Sequence, residues 1–302
     1  MSRVPRYRSL ALALFASVSL ANGLSAQVRA PELLLRLDDV GMNHSVNTAI
    51  ARVAATGMPF SVSVMFACPW YQEAVELMKK NPQIAVGVHL VLNSEWRNYR
   101  WGPVLGKAGV PSLVDGDGYF LPSTTEFVAH KYDLGEVERE LSAQMDRAVA
   151  SGLKIAYIDH HMGTAVATPE LRIVLERVAK KYNVGISRYF GESYHTMFDT
   201  PIAQKKTAFL DMIAKADPAR VNLFVVHSAV QTAEMEVLFD RNNAAQNASD
   251  GVPLVARHRQ AELNMVLSPE FAQLVRSGRV KLITYQQLSD RMGGPSGMKR
   301  PQ

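Results

Sequence analysis

The sequence predicts a single-domain α/β fold, a TIM-barrel-like (β/α) barrel of about seven parallel strands. Three observations predict it. Short apolar runs alternate with stretches whose apolar residues recur at helical spacing, the order of parallel strands joined by crossover helices. About seven such units follow one another from Pro31 onward. No linker rich in Pro, Gly or Ser divides them, so residues 27–302 read as one domain.

The strand-like runs are Leu33–Leu37, Ser61–Met65, Ile84–Leu92, Ile155–Ile158, Val184–Ser187, Val221–Val226 and Val280–Thr284. Between them, Val46, Ile50 and Val53 share one helical face, as do Val137, Leu141, Met145 and Ala148. Leu171, Val174, Leu175 and Val178 mark a third. Gly57 and Gly152 close the first two, since glycine tolerates the left-handed conformation that ends a helix. Two long connections, 93–125 and 228–257, interrupt the alternation and read as functional loops or disordered segments. Within the first, Asp115-Gly116-Asp117-Gly118 reads as a tight turn between short strands. A calcium loop would need glycine at its sixth position, where Phe120 stands.

Composition bounds the function. The 302 residues are 47% hydrophobic and 20% charged, an ordinary globular balance. The formal charge is +5. Three of its arginines, Arg3, Arg6 and Arg8, precede an apolar stretch at Leu10–Leu20 and a small-residue site at Leu24-Ser25-Ala26. That order is the order of a secretory signal peptide over residues 1–26, and the apolar run is shorter than the ~20 residues of a spanning helix. Cleavage leaves a charge of about +2, which excludes the dense basic face of a nucleic-acid binder. The expectation is a bacterial periplasmic or secreted protein with no membrane attachment after signal removal. Cys68 is the single cysteine, so no intramolecular disulfide forms and the thiol reads as a core residue. Two Asn-x-Ser sequons occur, at Asn43 and Asn247.

The chemistry-bearing residues cluster at strand ends. Asp38-Asp39 follows the first strand, His89 lies near the end of the third, Asp159-His160-His161 follows the fourth, and His227 follows the sixth. The C-terminal ends of parallel barrel strands converge on one face, so four distant segments would bring these side chains to one mouth. Each has a bland reading alone: a helix cap for the aspartates, a satisfied core residue for a lone histidine. Two imidazoles and a carboxylate form a hydrolytic metal set that leaves coordination positions open.

At these residues the sequence resembles the YdjC-like carbohydrate deacetylase family, from Leu34 to about Leu288. The resemblance runs through Leu37-Asp38-Asp39-Val40-Gly41, Ser61-Val62-Ser63-Val64-Met65, Gly87-Val88-His89-Leu90 and Ile158-Asp159-His160-His161. Arg259 with Glu262-Leu263, and Val280–Thr284, match the closing segment. It implies a (β/α) barrel that hydrolyses the acetamide of an N-acetylated sugar or oligosaccharide with a divalent metal ion, Mg²⁺ or Zn²⁺. Asp39, His89 and His161 match the metal ligands, Asp38 the general base, and His227 a late histidine that is a candidate general acid. Asp159 is a candidate partner that orients one of the histidines. The chain departs from the family pattern at Met162-Gly163-Thr164 and at His227-Ser228-Ala229. The first departure bears on substrate, the second on the geometry around His227.

Trp96, Arg97 and Trp101 stand in the loop after His89, where aromatic faces and guanidinium groups could hold sugar rings, or pack on the barrel or across an oligomer interface. The competing readings are a metal-dependent ester or phosphoester hydrolase and a non-catalytic sugar-binding barrel. The expected partner is the sugar substrate, and a homodimer is left open.

Overall fold

The computed structural model describes residues 1–2, 29–242 and 253–301. All but the first two residues of the expected signal peptide, and the Asn247 sequon, lie outside the described residues.

Among the described residues eight strands form one sheet: β1 (Glu32–Val40), β2 (Ser61–Val64), β3 (Ala85–Leu90), β4 (Ile155–His160), β5 (Gly185–Ile186), β6 (Ser193–Thr196), β7 (Val221–Val226) and β8 (Lys281–Ile283). Every pairing between them is parallel, in the order β5-β4-β3-β2-β1-β7-β6. β1 carries β7 along residues 32–37 on one edge. On its other edge β8 takes residues 32–34 and β2 residues 36–40, so β8 is wedged in at the base. Among the described residues β5 and β6 are not paired, and the sheet curls into an incomplete barrel. The C-terminal tail covers the β5 side of the gap: the Ile186 N–H meets Met298 Sδ at 3.0 Å and the Lys299 N–H donates to the Tyr189 carbonyl at 2.7 Å. An open sheet edge blunted this way cannot pair with another chain.

One strand lies beyond the sequence reading. β6 is four residues long and only half-buried, too short for period-2 patterning to mark. The three helical faces fall where the spacing puts them, in helices His44–Ala54, Leu134–Ala150 and Pro169–Tyr182. Gly57 and Gly152 do adopt positive φ, +71° and +79°. The Asp115–Gly118 segment is the predicted turn, closing an antiparallel bridge between Val114 and Phe120. Cys68 is fully buried in the core. Asn43 is buried as well and caps the His44–Ala54 helix, so its sequon offers no accessible amide. No described helix is long and apolar enough to cross a membrane.

Strand parity creates two cores. Leu33, Leu35 and Leu37 of β1, with Val86 and Val88 of β3, face outward and pack under the helices. The opposite parity faces the barrel interior, where Leu34, Tyr157, Leu223, Val225, Ile283 and Tyr285 form a smaller apolar cluster. Arg36 and Asp38 share the parity of Leu34, so they stand above that plug toward the C-terminal mouth. His89 has the parity of Ala85 and Gly87. Gly87 is required there: a Cβ would sit 2.4 Å from the Tyr157 ring.

Candidate active site

Adjacent residues of a regular strand point to opposite faces, which would send Asp38 inward and Asp39 out under the helices. The structure resolves this with a register shift in β1 between Leu37 and Val40 and a left-handed Asp39 at φ +62°. A non-glycine residue in that region is strained, and here the irregularity turns both carboxylates to the mouth. Asp39 is fully buried.

Three donor atoms form a nearly equilateral triangle. Asp39 Oδ1 lies 3.4 Å from His89 Nε2 and 3.3 Å from His161 Nδ1, and the two ring nitrogens are 3.3 Å apart. Asp39 Oδ1 is buried and has no hydrogen-bond partner. A cation about 2.1 Å from each donor sets donor separations of about 3.0 Å in octahedral geometry and about 3.4 Å in tetrahedral geometry. The three residues therefore fit a divalent ion. The alternative trio of Asp38, His89 and Asp159 fits less well, because Arg36 already occupies both Asp38 oxygens and approaches Asp159.

Each imidazole is aimed by a carboxylate on its far nitrogen. His89 Nδ1 meets Asp159 Oδ1 at 2.8 Å, and His161 Nε2 meets Glu95 Oε2 at 2.9 Å. Such partners fix the tautomer and raise the basicity of the ligand nitrogen. Ser63 donates to Asp159 Oδ2 at 2.8 Å, and Arg259 Nη2 donates to Asp39 Oδ2 at 2.7 Å. Burial works against charge on Asp39, but Arg259 and the imidazoles hold its carboxyl well below the usual range. Burial likewise opposes charge on the imidazoles. Asp159 and Asp38 outweigh it at His89, and Glu95 and Asp39 hold His161 up at about 9.

A cavity of about 460 Å³ opens above this centre. Asp38, Asp39, His89, His161 and His227 all line it, so the structure brings the five sequence-identified residues to one place. His227 is half-buried at the end of β7, with its backbone N–H on Glu262 at 2.6 Å and Nδ1 unpartnered. Burial lowers its pKa despite Asp39 and Glu262 nearby. Beyond His161, Met162 and Gly163 both take positive φ, and this reversal sets Met162 on the cavity wall.

The loop after His89 divides differently from expectation. Trp96 borders the cavity but is itself buried, 1% exposed, with the Arg259 guanidinium 5.4 Å over its ring. Trp101 is turned inward: it is 3% exposed, donates from Nε1 to the Asn93 carbonyl at 2.9 Å, and sets its ring edge-on to His161. Arg97 lies outside the cavity, over the Phe239 ring. The expected stacking of Trp96 and Trp101 on substrate is corrected by their burial, and the expected contact of Arg97 by its place outside the cavity. Arg188, Tyr194, Thr196 and Phe198 also line it, from β6 and the segments flanking it, which carried no signal.

Sequence reasoning also missed Arg36, Glu95 and the role of Arg259. Arg36 left a trace, a cation inside an apolar strand at the parity of Asp38. Glu95 left none, because a loop residue's reach depends on tertiary structure alone.

A family model described as YdjC-like protein matches residues 32–277. The chain belongs to that family. It is 28% identical over 267 residues to a carbohydrate deacetylase of Brevibacillus brevis, covering 85% of this chain and 99% of that one. A carbohydrate deacetylase of Vibrio cholerae is 25% identical over 271 residues, covering 85% and 96%. An Enterococcus faecalis crystal structure, described as a cellobiose-phosphate cleavage protein, matches with TM-score 0.66 at 23% identity, covering 86% of this chain and 99% of that one. At that identity the structural likeness concerns the fold.

Proposed function

We propose that the protein is a metal-dependent hydrolase that removes the acetyl group from an N-acetylated sugar or oligosaccharide. The observation that carries the reading is the Asp39–His89–His161 triangle, each imidazole backed by a carboxylate, facing a cavity in a chain whose relatives are named carbohydrate deacetylases. Export to the periplasm or beyond is part of the same proposal and rests on residues 1–26 alone.

Bound at the triangle, Mg²⁺ or Zn²⁺ would polarise the acetyl carbonyl and lower the pKa of water. The chain's own groups do the rest. Asp38 takes the proton of the attacking water: Arg36 occupies one site on each of its oxygens, and a carboxylate has further lone pairs to accept with. His227, with Nδ1 unpartnered at the cavity, would hand the departing amine a proton taken up from solvent, to which Asp38 returns the proton of the water. Tyr194 and Phe198 give the cavity apolar faces on which a sugar ring can stack.

The test is acetate release from N-acetylated mono- and oligosaccharides by chelated protein resupplied with single metals, beside O-acetylated sugars as controls. Acetate from the amides alone supports the reading. Stoichiometric metal binding with no acetate from any N-acetylated sugar would overturn it, and release from O-acetyl groups alone would make the protein an esterase.

A further inference from the structure

We propose that Arg36 is a positioning residue for Asp38, held by a buried one-way hydrogen-bond chain through Ser187 and Tyr285 to Glu192. The inference rests on Asp38 as the proton acceptor and adds residues from the far end of the sequence to that role.

The geometry begins with a bidentate clamp. Arg36 Nε donates to Asp38 Oδ1 at 2.7 Å and Nη2 donates to Asp38 Oδ2 at 2.6 Å. Both residues are buried, and two parallel bonds from a rigid planar fork fix the plane of the carboxylate as well as its distance. A carboxylate free to rotate would present its lone pairs to the attacking water only part of the time. The same guanidinium reaches Asp159 Oδ2 with Nη1 at 3.0 Å, so one group spans the proposed base and the residue that aims His89.

What holds Arg36 can be read from donor and acceptor capacity. Arg36 Nη1 has only protons to offer, so Ser187 Oγ accepts, at 2.6 Å. The Glu192 carboxylate has only lone pairs, so the Tyr285 hydroxyl donates to Oε1, at 2.9 Å. Tyr285 has then spent its proton and must accept from the Ser187 hydroxyl, 2.5 Å away. Every proton in the chain therefore points from cation to anion, an arrangement in which successive bonds polarise and strengthen one another. The far end is anchored too: Glu192 accepts the backbone N–H of Arg188 at 2.9 Å and of Phe190 at 2.8 Å. Ring contact with Tyr157 at 4.1 Å keeps Tyr285 in place. Ser187 follows β5, Glu192 precedes β6 and Tyr285 follows β8. Segments some 150 and 250 residues from Arg36 thus set the orientation of one carboxylate on β1.

The experiment compares Arg36→Lys and Tyr285→Phe in the wild-type and Asp38→Asn backgrounds, on the metal-loaded full chain. Lysine keeps the charge and loses the fork, and Phe removes one hydroxyl while keeping the ring. Expected in the wild-type background is a fall in kcat of roughly 10- to 100-fold for Arg36→Lys, with a smaller fall for Tyr285→Phe. KM should stay within about twofold and metal content should be unchanged. In the Asp38→Asn background neither change should lower the residual rate further, because groups that act through one residue are non-additive with its loss. A further drop by the same factor in that background would overturn the inference, as would a raised KM at unchanged kcat. Wild-type turnover in Asp38→Asn alone would instead refute Asp38 as the base and take the inference with it. Tyr285→Phe keeps the test open should Arg36→Lys fail to fold.

Discussion

Glu95→Gln is a sharp probe of the proposed metal centre, because it keeps the shape of a residue that sequence reasoning did not find and removes its charge. Glu95 accepts from His161 Nε2 at 2.9 Å, a buried, charge-assisted contact. Losing a partner of this kind costs roughly 10- to 100-fold in metal affinity. Yet the same charge also favours a proton on His161, and metal must displace that proton. With burial opposing it, Glu95 is the foremost group that holds His161 up at about 9 in the metal-free protein. At pH 7 that proton handicaps metal binding by about 10²-fold, since the pH lies about two units below the pKa. In Glu95→Gln the pKa moves back toward its ordinary value and most of the handicap disappears. The two effects nearly cancel at neutral pH and separate above pH ~9, where neither protein holds the proton. Chelator-competition titrations at pH ~7 and ~9.5 should therefore show similar affinities at the lower pH and a roughly 10- to 100-fold deficit at the higher one. A deficit that is the same at both pH values would refute the proton-competition argument. No deficit at either would show that Glu95 does not tune His161 at all.

Other outcomes follow from the same geometry. His89→Ala and His161→Ala should each lose most bound metal by elemental analysis while the circular dichroism of the fold persists, and stoichiometric metal in both would refute the site. Asp38→Asn should lower turnover by roughly 10² to 10⁴ with metal content near wild type, whereas Asp39→Asn should weaken metal binding; the reverse pattern would exchange their roles. Trp101→Ala should cost about 3–5 kcal/mol of stability, as for a buried large aromatic, while Phe198→Ala should raise KM with little change in melting temperature. In the metal-free protein the His161 pKa is raised on folding. Its contribution to stability is therefore full below about pH 6.5 and lost as pH rises through about 9, a trend that Glu95→Gln should flatten in urea titrations.

By itself the sequence determined the barrel and most of its centre, because both are written in local patterns. Helical faces repeat at 3.6 residues and buried parallel strands are short apolar runs, so seven of eight strands were legible. His89, Asp159 and His227 sit at strand ends with inward parity, and strand ends of a parallel barrel converge whatever the loops do. Asp38 shares that parity, and Arg36 could have been read from it. Tertiary structure alone decided the rest. Asp39 has outward parity and reaches the cavity only through the irregular backbone of β1, which no local pattern marks. Trp96 and Trp101 look alike in sequence, yet one borders the cavity and the other packs behind His161, because a loop has no period to assign faces. Glu95, Arg259 and the Ser187–Tyr285–Glu192 chain meet their partners across 66 to 220 residues of sequence. Hydrogen bonds of that range are set by where the barrel closes, and closure is a property of the whole sheet rather than of any segment in it.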